Sequence, residues 1–112
     1  MMIFHLARRE EWAAAQPTGR YDGSSQDRAD GFIHFSTAET VSESAARHRA
    51  GESGLVLIAV ESERLGGALR WEQARGGVLF PHLYGALPIE RAKWVKELPL
   101  GADGRHVFPP LD

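Results

Sequence analysis

The sequence predicts an α+β fold with a mostly antiparallel sheet that is split or curved, together with a few short helices. Strand patterns outnumber helix patterns, and the helix patterns lie early in the chain. The clearest strand is "GLVLIAV" at residues 54–60, a continuous apolar run typical of a strand buried on both faces. At 112 residues the chain is long enough for one core and too short for two. We therefore expect a single domain over residues 1–112.

The first part of the chain predicts a strand, a helix and a loop in that order. The segment "MIFHLA" at residues 2–7 is apolar apart from its histidine and predicts a short buried strand. The alanines and glutamates of "RREEWAAAQ", residues 8–16, favour a helix. The proline and glycines of "PTGRYDGSS" end that helix, so residues 17–25 are expected to form a loop.

A second strand and a longer helix follow. The segment "GFIHFS" at residues 31–36 is rich in aromatic and β-branched residues and predicts a strand. The pattern from Ser36 to Glu39 matches a capping box, in which the serine and the glutamate each bond the other's backbone N–H. We therefore expect a helix over about residues 37–50, ended by Gly51.

Short strands fill the second half of the chain. Residues 68–72 ("ALRWE") and 77–80 ("GVLF") predict two strands joined by a glycine turn. Pro88 suits the first turn of a helix, and residues 93–98 ("KWVKEL") alternate as a late strand. In "LFPHLYG", Pro81 lacks an N–H group, which favours an edge strand closed by a turn.

Composition narrows the functional classes. Thirteen Lys and Arg against fifteen Asp and Glu give a formal net charge of −2, so we do not expect a nucleic-acid partner. The absence of cysteine removes disulfides, thiolate metal sites and thiol nucleophiles. No segment has the roughly 18 apolar residues of a membrane span, and the N-terminus lacks a signal-peptide pattern. We expect a cytoplasmic protein that does not enter a membrane.

Three histidines fall among apolar residues in or beside predicted strands. His5, His34 and His82 occupy positions where a polar ring is costly to bury. On an extended strand Ser36 shares a face with His34, and Tyr84 shares a face with His82. Each histidine alone is explained by a ring bonded to a backbone carbonyl. Together the three are typical of the floor of a cleft.

Three chemistries fit such a cleft. A tri-histidine metal site lacks a close pair such as His-x-His, so no metal is expected. Nucleophilic catalysis needs an exposed Ser36, which the pattern assigns to a helix cap. Binding of a nucleotide or sugar uses most of the polar side chains present. Its candidate ligand-binding residues are His5, Ser36, Tyr84, Arg20 and Tyr21.

The combination of "IFHL", "DGFIHFS", "RWE" and "FPHLYG" resembles domain of unknown function 952, a family of small bacterial and plant proteins. The likeness extends from Ile3 to about Val95. It implies a compact relative of the ADP-ribosyltransferase superfamily, with a split sheet around an NAD-sized cleft. On this resemblance NAD is the expected cofactor and a small-molecule nucleotide is the expected partner.

The resemblance also assigns roles to individual residues. His5 corresponds to the superfamily histidine that holds the ribose of NAD, although Leu6 stands where that motif has glycine. His34 and Ser36 correspond to positions that line the nicotinamide pocket.

The third motif departs from the superfamily pattern. The superfamily has here a catalytic glutamate that stabilises an oxocarbenium-like ribose, whereas "FPHLYG" has His82. Ordinary ADP-ribosyl transfer therefore requires Glu72 to reach the site. The expected catalytic residues are His34, His82 and Glu72, and the expected activity is ADP-ribosyl or phosphoryl transferase-like or of the glycohydrolase type. The alternative is a non-catalytic nucleotide or sugar-phosphate binding module. A histidine-ligated, metal-dependent hydrolase is a third reading.

Overall fold

The structure, a computed structural model, describes residues 1–112 except for the side chain of Arg75. The strands are β1 (Met2–Arg8), β2 (Arg20–Tyr21), β3 (Ile33–His34), β4 (Ser36–Thr37), β5 (Leu55–Glu61), β6 (Leu69–Gln73), β7 (Leu79–Leu83), β8 (Leu87–Pro88) and β9 (Ala92–Leu98). The α-helices are α1 (Arg9–Ala15), α2 (Ser25–Asp30) and α3 (Val41–His48). Short 3₁₀ turns cover Gln16–Thr18, Ser62–Ala68, Arg75–Gly77 and Ile89–Arg91.

The strands form separate antiparallel sheets. A four-stranded sheet has the order β4-β1-β5-β9, a three-stranded sheet the order β3-β7-β6, and β2 pairs with β8. The prediction of an α+β fold with a mostly antiparallel sheet and few short helices is therefore confirmed. Among the residues described, no helix is both long and apolar enough to cross a membrane.

The two faces of β5 form the centres of two apolar clusters. Val56, Ile58 and Val60 pack in one cluster, which also holds residues of β1, β3 and β7. Leu55 and Leu57 pack in the other, under α3 and the C-terminal strand. Since both faces of β5 are covered and strands pair with both of its edges, the prediction of a doubly buried interior strand is confirmed.

The segment predicted as one strand at residues 31–36 is divided between two sheets. His34 pairs with His82 in the three-stranded sheet, whereas Ser36 pairs with Phe4 in the four-stranded sheet. The buried Phe35 lies at the point where the chain changes sheet. Because β4 pairs only with the start of β1, the rest of β1 has no strand neighbour on that side. The sheet is split there.

The predicted capping box at Ser36 is wrong, and so is the start of the helix predicted for residues 37–50. Ser36 is held in the sheet by its pairing with Phe4, so its backbone cannot take up a cap position. The helix begins at Val41, after Thr40, whose hydroxyl accepts a hydrogen bond from the N–H of Thr37 at 3.0 Å.

The loop predicted for residues 17–25 is only partly correct. Arg20 and Tyr21 form β2, which pairs with β8, and Ser25 begins α2. A capping box between Ser24 and Asp27 starts that helix.

The edge strand expected around Pro81 is also corrected. β7 continues from Leu79 to Leu83 and lies between β3 and β6, so it is a central strand. The short partner β3 tolerates the missing N–H, and the carbonyl of Pro81 accepts a hydrogen bond from the N–H of Phe35 at 3.0 Å.

Candidate functional site

A cavity of about 620 Å³ lies between β1, α2 and the three-stranded sheet. Four residues predicted from the sequence line it: His5, His34, Ser36 and His82. The other lining residues come from β1, α2, the end of α3 and the strands of both sheets. They are Phe4, Leu6, Arg8, Ser24, Ser25, Gln26, Asp27, Asp30, Phe35, Ser44, His48, Arg49, Glu52, Ala74 and Phe80.

His5 is a buried ring whose two nitrogens both have partners. Nδ1 lies 2.6 Å from the carbonyl oxygen of His34, and Nε2 lies 2.8 Å from the hydroxyl of Tyr21. A carbonyl only accepts, so Nδ1 donates and Nε2 accepts from the tyrosine. Burial is the main cause that lowers the pKa of His5, and burial likewise raises the pKa of Tyr21. The site therefore holds a neutral His5 of fixed tautomer, with Tyr21 beneath it.

Asp27 is a buried carboxylate that joins α2 to β3. Its Oδ2 accepts from the backbone N–H of Ser24 at 2.7 Å, and its Oδ1 lies 2.5 Å from Nδ1 of His34. The backbone N–H of His34 donates to the same Oδ1 at 3.1 Å. Burial raises the pKa of Asp27, but the hydrogen bonds that it accepts from His34 and Ser24 outweigh burial, so the pKa of Asp27 lies below its ordinary value.

His34 stands between two carboxylates at the wall of the cavity. Besides the contact of Nδ1 with Asp27, Nε2 lies 3.1 Å from Oδ2 of Asp30. Each ring nitrogen of His34 therefore has a carboxylate partner. The ring of Phe32 packs beside it, with 4.5 Å between ring centroids.

His82 is oriented by Glu72. Nδ1 of His82 lies 2.8 Å from Oε1 of Glu72, and the hydroxyl of Tyr84 donates to the same oxygen at 2.8 Å. These two hydrogen bonds, that of His82 first, lower the pKa of Glu72. Phe32 stacks on the His82 ring at 4.1 Å between centroids. The described residues provide Nε2 with no hydrogen-bond partner, and the ring lines the cavity.

A second charged group lies at the ends of β1 and α3. Glu52 binds Nε of Arg8 at 3.0 Å and Nη1 of Arg49 at 3.2 Å. Burial raises the pKa of Glu52, but the two guanidiniums outweigh it, and the pKa lies below its ordinary value. All three residues line the cavity.

Several predicted residues lie outside the cavity lining. Arg20 is exposed and pairs with Asp22 at 3.4 Å, Tyr84 contacts Glu72, and Tyr21 contacts His5. Glu72 contacts His82 without lining the cavity. Among the described residues, no group of three or more His, Cys, Asp or Glu side chains is arranged to hold a metal ion.

The sequence reasoning missed six residues of the site, among them Glu52. Asp27 had a usable signal, since "SSQD" at residues 24–27 matches a capping box as well as "STAE" does. The carboxylate of Asp30 gave no comparable signal, whereas Phe32 lies two residues before His34 and on a strand shares its face. Arg8 and Arg49 are 41 positions apart and meet only through the fold.

Fold and site together define the class: a small α+β protein whose split antiparallel sheet encloses a histidine-lined polar cavity. The chain belongs to the family described as "Protein of unknown function (DUF952)", which matches residues 6–95. A crystal structure of protein CC0527 from Caulobacter crescentus is similar, with 46% identity, a TM-score of 0.92 and coverage of 96% of this chain and 94% of that chain.

A solution NMR structure of CC0527 from Caulobacter crescentus agrees with it. This structure is 47% identical, has a TM-score of 0.83 and covers 93% of this chain and 90% of that chain. No curated protein matches the sequence.

Proposed function

We propose that the cavity binds NAD or a related nucleotide such as ADP-ribose, and that His82, beside His34, transfers a proton in ADP-ribosyl-transferase-like or glycohydrolase-type chemistry. One observation carries the proposal. The two histidines line one cavity with 5.6 Å between ring centroids, and each is oriented by a carboxylate, Asp27 or Glu72. A carboxylate that fixes the tautomer of a histidine is a recurrent feature of acid and base catalysis.

The cavity suits a ligand of this class. Its volume of about 620 Å³ falls in the range of small-molecule pockets, roughly 300–1,000 Å³. Ser36 and Ser44 line the cavity, and the hydroxyl of Ser36 donates to that of Ser44 at 3.0 Å, so the cavity wall includes polar oxygen atoms suited to a sugar. The ring of Phe32 beside both histidines offers an aromatic surface near the cavity. The resemblance to the ADP-ribosyltransferase superfamily supports the same ligand class.

The hydrogen bonds of the two histidines give the two rings different roles. His82 donates Nδ1–H to Glu72, so Nε2 carries a lone pair. In the proposed step Nε2 takes the proton of an attacking water or hydroxyl as its oxygen bonds to C1′ of the nicotinamide ribose. The C1′–N bond breaks, and its electron pair leaves with neutral nicotinamide. Both nitrogens of His34 are held by carboxylates, Nδ1 by Asp27 and Nε2 by Asp30, so His34 takes no proton in this step and forms the cavity wall beside His82.

Binding without turnover is the second candidate, and the position of Glu72 favours it. A transferase glutamate steadies positive charge on the ribose with its own carboxylate. Here that carboxylate is bonded to His82 and Tyr84 and does not line the cavity.

Calorimetric titration with NAD and ADP-ribose tests the proposal. We expect saturable binding that is lost in His34→Ala and His82→Ala and kept in Arg20→Ala, a control at the surface outside the cavity. Chromatography of an NAD incubation then separates the two candidates, since release of nicotinamide shows turnover. Absence of binding by both nucleotides to the folded wild type, or equal binding by all variants, would refute the proposed function.

A further inference from the structure

We propose that Arg8 and Arg49 form an anion subsite in the cavity that takes the phosphate groups of the ligand. The inference rests on the proposed function, because it names the part of the same cavity that holds the diphosphate. The observation behind it is a pair of guanidiniums in the cavity wall that share one carboxylate, Glu52.

The donors of Arg49 are only partly used. Its side chain is 14% exposed, and Nη1 is its one nitrogen bonded to Glu52. A guanidinium carries five N–H donors in a planar fork. The described residues provide no acceptor for Nε or Nη2 of Arg49. A largely buried cation with open donors beside a cavity favours a ligand with acceptor oxygens.

Two carboxylates lie near this pair, and Glu52 is the one that is hydrogen-bonded to it. Glu52 supplies one negative charge to two guanidiniums. Glu11 lies 3.8 Å from Nη1 of Arg8, too far for a hydrogen bond, and does not line the cavity.

The remaining acidic groups of the cavity are already bonded. Asp27 and Asp30 are both bound to the ring of His34. The guanidiniums of the described lining are those of Arg8 and Arg49.

The class of anion follows from guanidinium geometry. A fork of N–H donors fits two oxygens of a phosphate at once, which a lysine ammonium does not reproduce. A diphosphate offers two such groups to two arginines. Bound there, the nucleotide would extend its ribose along the same cavity toward His34 and His82.

Pyrophosphate alone tests this subsite without requiring a nucleotide. We expect calorimetry to detect its binding to the wild type, and Arg49→Gln to weaken it at least about tenfold, the effect of one lost charge-assisted hydrogen bond. Arg49→Lys keeps the charge and should also weaken binding. Arg47→Gln is the matched control, since Arg47 lies on the same helix, is exposed and pairs with Glu43. Arg8→Gln is a second variant if Arg49→Gln fails to fold by circular dichroism.

The outcomes separate the subsite from the proposed function. Pyrophosphate binding that depends on Arg49 or Arg8 supports the subsite. This holds even if ADP-ribose binds no better than pyrophosphate, a result by which the nucleotide proposal fails. The subsite alone is overturned if ADP-ribose binds and pyrophosphate does not. It is also overturned if the arginine variants bind these ligands with the same affinity as the wild type. Malonate binding as tightly as pyrophosphate also overturns it, because the site would then select carboxylates. No binding of any probe overturns both proposals.

Discussion

Replacing Asp27 tests whether one buried carboxylate holds the site together. The residue is 3% exposed and accepts four hydrogen bonds, two from Ser24 and two from His34. Removing one partner from a buried charged pair costs about 3–5 kcal/mol, because the remaining donors are left unpaired. We expect Asp27→Ala to lower the free energy of unfolding by that amount and Tm by about 10–25 °C.

Urea denaturation followed by circular dichroism at neutral pH measures this loss. The matched control is Asp22→Ala, because Asp22 is exposed and has a single long contact, 3.4 Å, with a nitrogen of Arg20. Surface ion pairs of this kind contribute little, so the control should stay within about 0.5 kcal/mol of the wild type. A loss in Asp27→Ala no larger than in the control refutes the structural role of the carboxylate.

The pH dependence separates the charge of Asp27 from its packing. Its pKa is lower in the folded chain than the value of about 3.9 for an unfolded aspartate. The stability that the Asp27 carboxylate contributes is therefore present above the pKa of the unfolded chain. It is lost as pH falls from the unfolded pKa toward the lower folded pKa. The stability difference between the wild type and Asp27→Asn should shrink between about pH 5 and pH 2. A constant difference over that interval would contradict the assignment.

Three further predictions concern neighbouring positions. Gly23→Ala should lower the unfolding free energy by about 1–3 kcal/mol more than Gly31→Ala, because a Cβ at Gly23 would lie 2.7 Å from Cβ of Asp27, whereas one at Gly31 meets nothing within 4 Å. Both glycines have φ near +90°, so equal losses of Tm would exclude the steric explanation. Burial keeps the pKa of His5 below its ordinary value, so acidification from about pH 7.5 to 5.5 should destabilise the wild type more than His5→Gln. The extra loss of unfolding free energy should be at most about 1.4 kcal/mol per pH unit. An equal loss in both proteins, measured by urea denaturation at the two pH values, would argue against a buried neutral ring. Glu72→Gln should weaken ADP-ribose binding in calorimetry and leave Tm near that of the wild type, because its side chain is 38% exposed and holds a histidine ring; unchanged affinity would remove Glu72 from the site.

The elements that the sequence predicts well are those whose pattern has one physical meaning. The run over residues 54–60 contains no polar residue that could face water, so a doubly buried strand satisfies it. The histidines were also identifiable, because His5 and His82 are costly to bury among apolar neighbours and are nearly buried in the structure.

The errors come from patterns with two meanings. Both "SSQD" and "STAE" match a capping box, and only tertiary pairing decides between them. Ser36 is taken by β1, while Ser24 is free to cap α2. A loop over residues 17–25 leaves the helix that presents Asp27 without a predicted start. The carboxylate that orients His34 was lost with it.

The meeting of the two histidines depends on strand register. His34 is directly opposite His82 between β3 and β7, and Glu72 is opposite Phe80 between β7 and β6. Glu72 therefore reaches His82 as its diagonal neighbour, two residues along β7. A slip of one residue would turn the rings of His34 and His82 to opposite faces and separate His82 from its carboxylate. The change of sheet at Phe35 fixes this register, because the same short segment must also pair Ser36 with Phe4. The split in the sheet thus both opens the cavity and aligns the two carboxylate–histidine pairs that face it.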